Sequence, residues 1–230
     1  MDDLFDMLEN DDKPLEATIV AKEDKVKTEN LWEKVDFKPI KIDASKLHST
    51  KKSFAIAHSN NNIPASVYEK ILEIAKVLIT KGYTFRHNGS SNDTLQNEIL
   101  GITDIKVDSY IAWKKFNPDI KNPVMTEPTL TGYGIAVYSH KVFYKLPSSV
   151  RAMISMQVHT LLGKNCDDPV SMLIGYSECG TEALQKDTDY KKTGNLTFPL
   201  KICGDSNIPV YNVQNETAIK RLAENIKSHS

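Results

Sequence analysis

The sequence predicts an α/β fold, a mainly parallel sheet with helices on both faces, and three observations carry that prediction. Short apolar runs alternate along the chain with longer stretches whose apolar residues recur at helical spacing. The short runs are apolar throughout, as strands covered on both faces require, with little of the in–out alternation of a half-exposed sheet. Gly and Pro stand at the joints where helices would begin and end.

The elements follow in order from Ser53. Residues 53–57 (SFAIA) read as a buried strand. Pro64 occupies the first position of a helix, where its missing N–H has no helical partner to lose. Over 65–81, Val67, Ile71, Ile74, Ala75, Leu78 and Ile79 recur at helical spacing, and Gly82 ends the helix as a C′ residue. Residues 83–86 supply the next strand, 87–92 (HNGSSN) a small-residue turn, 93–100 a helix and 107–113 a third strand. A long loop containing Pro and Asn covers 114–131. Helices are expected over 134–140 and 148–162, the second opened by Pro147 and closed by Gly163. Residues 170–176 (VSMLIGY) make the most apolar strand. A polar excursion at 177–192 precedes a helix over 195–203, a strand over 208–213 and a helix over 216–227. Strands joined through helices run parallel. The expected domain spans 51–230 and is Rossmann-like in its alternation.

Residues 1–50 differ from this body. The segment 1–12 holds six acidic residues and no basic one; set against a total charge of −1, this leaves +5 on the other 218 residues. Leu4, Phe5, Met7 and Leu8 stand among those acids, so a helix here would be amphipathic but short, and isolated helices of such length are marginal in water. The reading is a flexible acidic arm over 1–50. It is either a solubilising tail or a docking peptide that folds on a partner through Leu4, Phe5 and Leu8.

Composition excludes several classes. A charge of −1 with no basic stripe argues against bulk nucleic-acid binding. No apolar run approaches the ~20 residues of a membrane span, and the acidic start lacks the pattern of a signal peptide. Cys166, Cys179 and Cys203 are too few and too scattered for a disulfide framework or a metal site, so they read as reduced thiols of a cytoplasmic protein. Fingerprints of the GxGxxG, GxxxxGK[ST] and GxSxG types are absent.

In parallel sheets, ligands sit beyond the carboxyl ends of the strands. Three loops qualify: 57–62 (AHSNNN) with Ser59, 86–92 (RHNGSSN) with Arg86, Gly89, Ser90 and Ser91, and 193–195 with Thr193 and Gly194. Small residues let backbone N–H groups approach an anion, and Arg86 offers a bidentate phosphate contact. Each has a plainer alternative: Gly89 and Gly194 as turn residues, Ser91 or Asn92 as a helix cap, Arg86 as the ion-pair partner of Glu98. His58 and His87 lie in these loops without an identifiable partner.

GYTFR at 82–86, followed by Gly89 and Glu98, resembles the "G-x-T-L-R-S-G-G-A-x-G-A-D-x-A-F-E" signature of the SLOG superfamily of Rossmann proteins, which includes the DNA-processing protein A fold and many phage proteins. YIAWKKFN at 110–117 is similar to the phage members' "Y-L-P-W-K-G-F-N". The likeness continues through VHTLLG at 158–163, Thr193-Gly194 for "T-G-G-T-G", and NIPVYN at 207–212 for "G-I-P-V-F-N". It implies a phage-encoded protein of the host cytoplasm with a nucleotide-binding ancestry. The departures are as informative. Asn88-Gly89 replaces a glycine pair, SSNDT at 90–94 replaces "A-D-G-A-D", Met156-Gln157 replaces "R-N", and TGNLT at 193–197 sets side chains where bare backbone is needed. The P-G-G-x-G-T motif of the hydrolase branch is missing.

These observations lead to an eroded pocket, no catalytic residues, no metal and no resident cofactor. The first reading is a non-enzymatic module acting through protein interaction, by the arm or by the domain surface, with a homo-oligomer left open. The second is a binder or sensor of a nucleotide-derived ligand using Ser59, Arg86, Gly89, Ser90, Ser91, Glu98, Thr193 and Gly194. Single-stranded DNA binding is disfavoured by charge. A nucleotide hydrolase would need a glutamate beside a Gly-rich loop, and only Glu98 lies near one.

Overall fold

A computed structural model describes residues 36–59, 62–89 and 93–228. Among these residues, five strands form one all-parallel sheet. They are β1 (Ser53–His58), β2 (Thr84–His87), β3 (Lys106–Ser109), β4 (Met172–Tyr176) and β5 (Val210–Asn212), in the spatial order β3-β2-β1-β4-β5. The chain therefore steps outward from β1 to β3, crosses back to β4 on the other side of β1, and steps outward again. The expected α/β class and parallel sheet are what the molecule has. The reversal opens a crevice between the carboxyl ends of β1 and β4.

Helices cover both faces. On one face, α1 (Ala65–Thr80), α2 (Thr94–Leu100) and α7 (Glu216–Ser228) pack on Phe54, Ile56, Phe85, Met172, Ile174 and Tyr211. The other face carries α3 (Leu130–Ser139), α4 (Ser148–Leu162) and α6 (Thr197–Ser206), the last preceded by the single turn α5 (Tyr190–Thr193). Burial on both sides explains why β1 and β4 lack polar alternation: Phe54, Ala55, Met172, Leu173 and Ile174 are all buried. The end of α1 follows its sequence: Gly82, at φ +80, lets its N–H reach Ile79 O (2.8 Å) and the Tyr83 N–H reach Leu78 O (3.0 Å).

The edge strand β3 is shorter than the expected 107–113, because the chain turns away after Ser109. The loop then folds back beside it: Val124 N–H donates to Ser109 O, Ile111 N–H to Met125 O, and Tyr110 bridges Met125 in parallel. This return covers a backbone edge that would otherwise face solvent. Tyr110, Ala112 and Met125 pack there against Met156 of α4.

The packed body starts at Phe37, earlier than the expected boundary at 51. Phe37 and Ile42 are buried, Phe37 stacks on Tyr133 at 4.2 Å, and Tyr144 Oη donates to Phe37 O (2.6 Å). Phe37 and Ile42, set in a Lys-containing stretch, carry too weak a period to stand out in sequence, yet both are buried. Gly134 of α3 makes the fit, since a Cβ there would lie 2.7 Å from Lys38 O and 2.6 Å from Ile40 Cδ1; Gly132 of the same helix instead makes room for the His159 ring of α4. The amphipathic helix expected around Leu4, Phe5 and Leu8 lies outside the described residues. Among the described residues no helix is long and apolar enough to cross a membrane.

Gly134→Ala should destabilise the protein by about 1–3 kcal/mol, because overpacking against a backbone carbonyl outweighs the ~1 kcal/mol gain in helix propensity. Gly204→Ala in α6, where a Cβ meets nothing within 4 Å, should instead stabilise by roughly 0.5–1 kcal/mol. Urea unfolding of the two variants reads the opposite signs; equal shifts would remove close packing as the reason for Gly134.

Candidate site at the carboxyl rim of the sheet

The three loops singled out in the sequence meet on one rim. β1 runs on past His58, and Ser59 N–H donates to Tyr176 O (2.9 Å) at the end of β4. The turn at 193–195 closes on this point, with Gly194 against the Ser59 backbone and Asn195 N–H donating to Ser59 O (3.0 Å). Across β1 from there, His58 Nε2 lies 3.1 Å from Asp93 Oδ2, at the start of α2 beyond the Gly89 turn. Parallel pairing makes this convergence unavoidable, since β1, β2 and β4 all end on the same side.

Among the described residues, the backbone donors of Ser59, Gly89 and the 193–197 turn named below are engaged by the chain itself. Gly89, at φ +72, donates its N–H to His87 Nδ1 (3.2 Å), and its carbonyl accepts from Asn117 Nδ2 (3.1 Å). A Cβ there would lie 2.5 Å from Ile111 Cγ2 and 3.0 Å from Ile120 Cδ1, so the glycine serves packing beneath the returning loop. In the 193–197 turn, Thr193 N–H reaches Asp189 O, Gly194 N–H reaches Tyr190 O and Thr197 N–H reaches Gly194 O. A phosphate cradle needs N–H groups turned outward. These turn inward.

Arg86 and Glu98 stand elsewhere. Arg86 is only 1% exposed. Its Nη1 donates to Asp168 O (2.6 Å), its Nη2 pairs with the Asp168 carboxylate, and its Nε lies 3.5 Å from Asp108 Oδ2. Asp168 belongs to the turn leading from α4 to β4 and also accepts from Thr50, just before β1. The guanidinium is therefore directed to the amino end of the sheet, away from the rim. Glu98 is not its partner; Glu98 accepts from Tyr68 Oη (2.7 Å) on α1. Ser90 and Ser91 lie outside the described residues.

Other rim residues escaped the sequence reading. Ser177, directly after β4 as Ser59 is after β1, accepts from the buried Asn212 Nδ2 (2.9 Å) at the end of β5. The first polar residue beyond an apolar strand was the available signal in both places. His87, read as a loop residue, belongs to β2 and stacks on Phe85 (5.6 Å between centroids). Because Nδ1 accepts from Gly89, the proton sits on Nε2 and is donated to Ser109 Oγ (2.7 Å). Burial lowers the His87 pKa to about 4, with Asp93 acting weakly the other way. In α4 itself, His159 is held neutral by the same cause: burial lowers its pKa, Nδ1 donates to Gly163 O (3.1 Å) and Nε2 accepts from Thr129 N–H (3.0 Å). Among the described residues no cluster of His, Cys, Asp and Glu is arranged to hold a metal ion.

Compared with known protein families, characterised proteins and solved structures, the chain matches none.

Two outcomes are expected of these side chains. Arg86→Met should lose about 3–5 kcal/mol of stability in urea unfolding, the cost of breaking a buried pair; unchanged stability would mean the guanidinium is not structurally needed. His87 gives a pH signature. The unfolded imidazole takes its proton near pH 6.5 and the folded one only near pH 4, so stability is full above 6.5 and falls as pH drops towards 4. Between pH 7 and pH 5 the wild type should lose about 2 kcal/mol more than His87→Asn. Parallel declines would show that His87 is not held neutral.

Proposed function

We propose that the chain is a non-enzymatic, SLOG-like member of the Rossmann class, of phage type, whose eroded nucleotide pocket leaves protein interaction as its task. The inward direction of the rim's backbone donors carries the reading: Gly89, Thr193, Gly194, Asn195 and Thr197 all donate within the chain. An anion arriving there would have to break those bonds, each worth about 1 kcal/mol net and more when its partner is left buried. The motif likeness from Gly82 to Asn212 supports the ancestry, and its substituted glycines are the positions where bare backbone would be needed.

The domain surface offers a place for a partner. Leu130 stands one turn before Gly134 on α3 and Tyr138 one turn after it, both exposed, and Ile40 lies over Gly134 between them. Together they form an apolar stripe on the outer side of the helix. The acidic segment 1–10, with Leu4, Phe5 and Leu8, is the second candidate contact. Partner capture through either route fits a cytoplasmic setting.

Thermal unfolding against a panel of nucleotides and nucleotide sugars tests the reading. A ligand bound at 100 times its Kd would add about 2.7 kcal/mol of stability, readily visible as a rise in Tm. No rise is expected with any member. A saturable rise with one of them would replace this reading with that of a nucleotide sensor.

A further inference from the structure

The two buried arginines are treated differently by the fold. Arg86 is held by Asp168 and Asp108. Arg151, at the fourth position of α4 and only 8% exposed, makes no side-chain hydrogen bond or ion pair among the described residues. Its Nε is sealed from solvent; its two terminal nitrogens are equally unbonded but are not sealed. A guanidinium cannot shed its proton, and a buried cation without a partner is costly.

Its surroundings follow from the way α3 and α4 meet. α4 leads into the start of β4 and α6 into the start of β5, so both helices begin at the carboxyl rim. The His140 ring, just past α3, lies 6.0 Å from Phe198 in the first turn of α6, so α3 ends at that rim. Near its other end, Gly132 meets the His159 ring, and Thr129 N–H donates to it. The two helices are therefore antiparallel. Arg151, Ser155 and His159 follow at i, i+4 and i+8 on one stripe of α4, the stripe that His159 turns to α3. Ser139, seven residues after Gly132, comes level with Arg151, eight before His159, since each step spans ~10–12 Å of helix.

Two hydroxyls on this seam are orphaned as well. Ser155 is fully buried, and neither its Oγ nor the sealed Oγ of Ser139 has a hydrogen-bond partner. The Arg151 charge reaches the same seam: burial raises the Tyr133 pKa, and the guanidinium opposes that rise. Glu127 acts on the same hydroxyl in the other sense but forms no ion pair with Arg151 among the described residues. Buried polar groups are ordinarily bonded. Here a cation with fixed donors and two hydroxyls, all on the rimward half of one seam, lack an acceptor.

We propose that the rimward end of the α3/α4 seam binds a small tetrahedral oxyanion, inorganic phosphate or sulfate, through Arg151 with Ser155 and Ser139. The terminal guanidinium nitrogens take two of its oxygens side by side, and the hydroxyls donate to the others. With Arg151 nine-tenths buried, the opening admits an ion and excludes a nucleoside. The site uses none of the rim loops, so it stands or falls separately from the interaction reading.

Thermal unfolding and calorimetric titration of the full chain with sodium phosphate, at an ionic strength fixed by chloride, test the site. A saturable rise in Tm is expected with phosphate or sulfate and none with adenosine monophosphate. Arg151→Met should unfold in chloride at the wild-type Tm or above it, because a buried charge without a partner is removed, and should lose the response to phosphate. Arg151→Lys, which keeps the charge but not the fork, and Ser155→Ala should each weaken phosphate binding by about tenfold. Four results would overturn the proposal. They are no phosphate response in the wild type, equal phosphate binding by wild type and Arg151→Met (the mark of ions on surface lysines), and an equal response to adenosine monophosphate. The fourth is an Arg151→Met chain as destabilised in chloride as Arg86→Met, which would reveal a partner for Arg151 within the protein.

Discussion

Arg86 brings a permanent positive charge to the inner part of a sheet that has no wet face, and much of the molecule is arranged around that charge. A guanidinium cannot discard its proton, so it must be paired or left at great cost. Asp168 and Asp108 supply the pairing, and each comes from a different part of the chain. Asp108 belongs to the neighbouring strand β3 and also pairs with Lys51 at 2.5 Å. Asp168 ends the crossover from α4, and its second carboxylate oxygen takes the Thr50 N–H (2.7 Å) and hydroxyl (3.0 Å). One buried side chain thereby ties together two strands, the long crossover and the segment that leads into β1. The Asp168 carboxyl reflects the arrangement: burial would raise its pKa, but Thr50 and Arg86 together bring it below the usual value.

The two ends of the sheet consequently differ in kind. The amino end is an ionic clasp, and the carboxyl end is knit mainly by backbone and amide bonds, with the His58–Asp93 contact beside them. At the carboxyl end, Gly89 and Gly194 have the positive φ that a ligand loop would use, but each meets protein instead: Ile111 and Ile120 in one case, the Ser59 backbone in the other. Positive φ and a missing Cβ are demanded equally by close ligand approach and by close chain approach. Such glycines therefore identify a crowded place without naming the occupant. The buried imidazoles follow the same logic, since His87 and His159 each bridge two loops in neutral form and gain nothing from charge.

Most of the fold was legible because the period of apolar residues is a local property. The strands at Ser53–His58 and Met172–Tyr176, and the helices Ala65–Thr80 and Ser148–Leu162, lie within a few residues of where their patterns put them. The weaker elements drifted. The helix Leu130–Ser139 begins four residues before its expected start, since its glycines hide the pattern while serving contacts with His159 and the Lys38–Ile40 segment. The last strand shrank to Val210–Asn212, which the short pairing with β4 dictates. Residues 37–50 read as polar chain, but Phe37 finds Tyr133 and Thr50 finds Asp168, contacts between positions far apart in sequence.

The sequence by itself determined the class, the parallel direction of the strands and the rim on which loops 58–59, 89 and 193–195 gather, because these follow from period, punctuation and the handedness of crossovers. Only the tertiary structure decided what those loops do there. Whether an N–H points outward to a ligand or inward to Ser59 O, and whether a guanidinium points to the rim or to Asp168, depends on partners more than 80 residues away in the chain. No local pattern encodes such pairings; they emerge when buried polar groups must find one another as water is excluded.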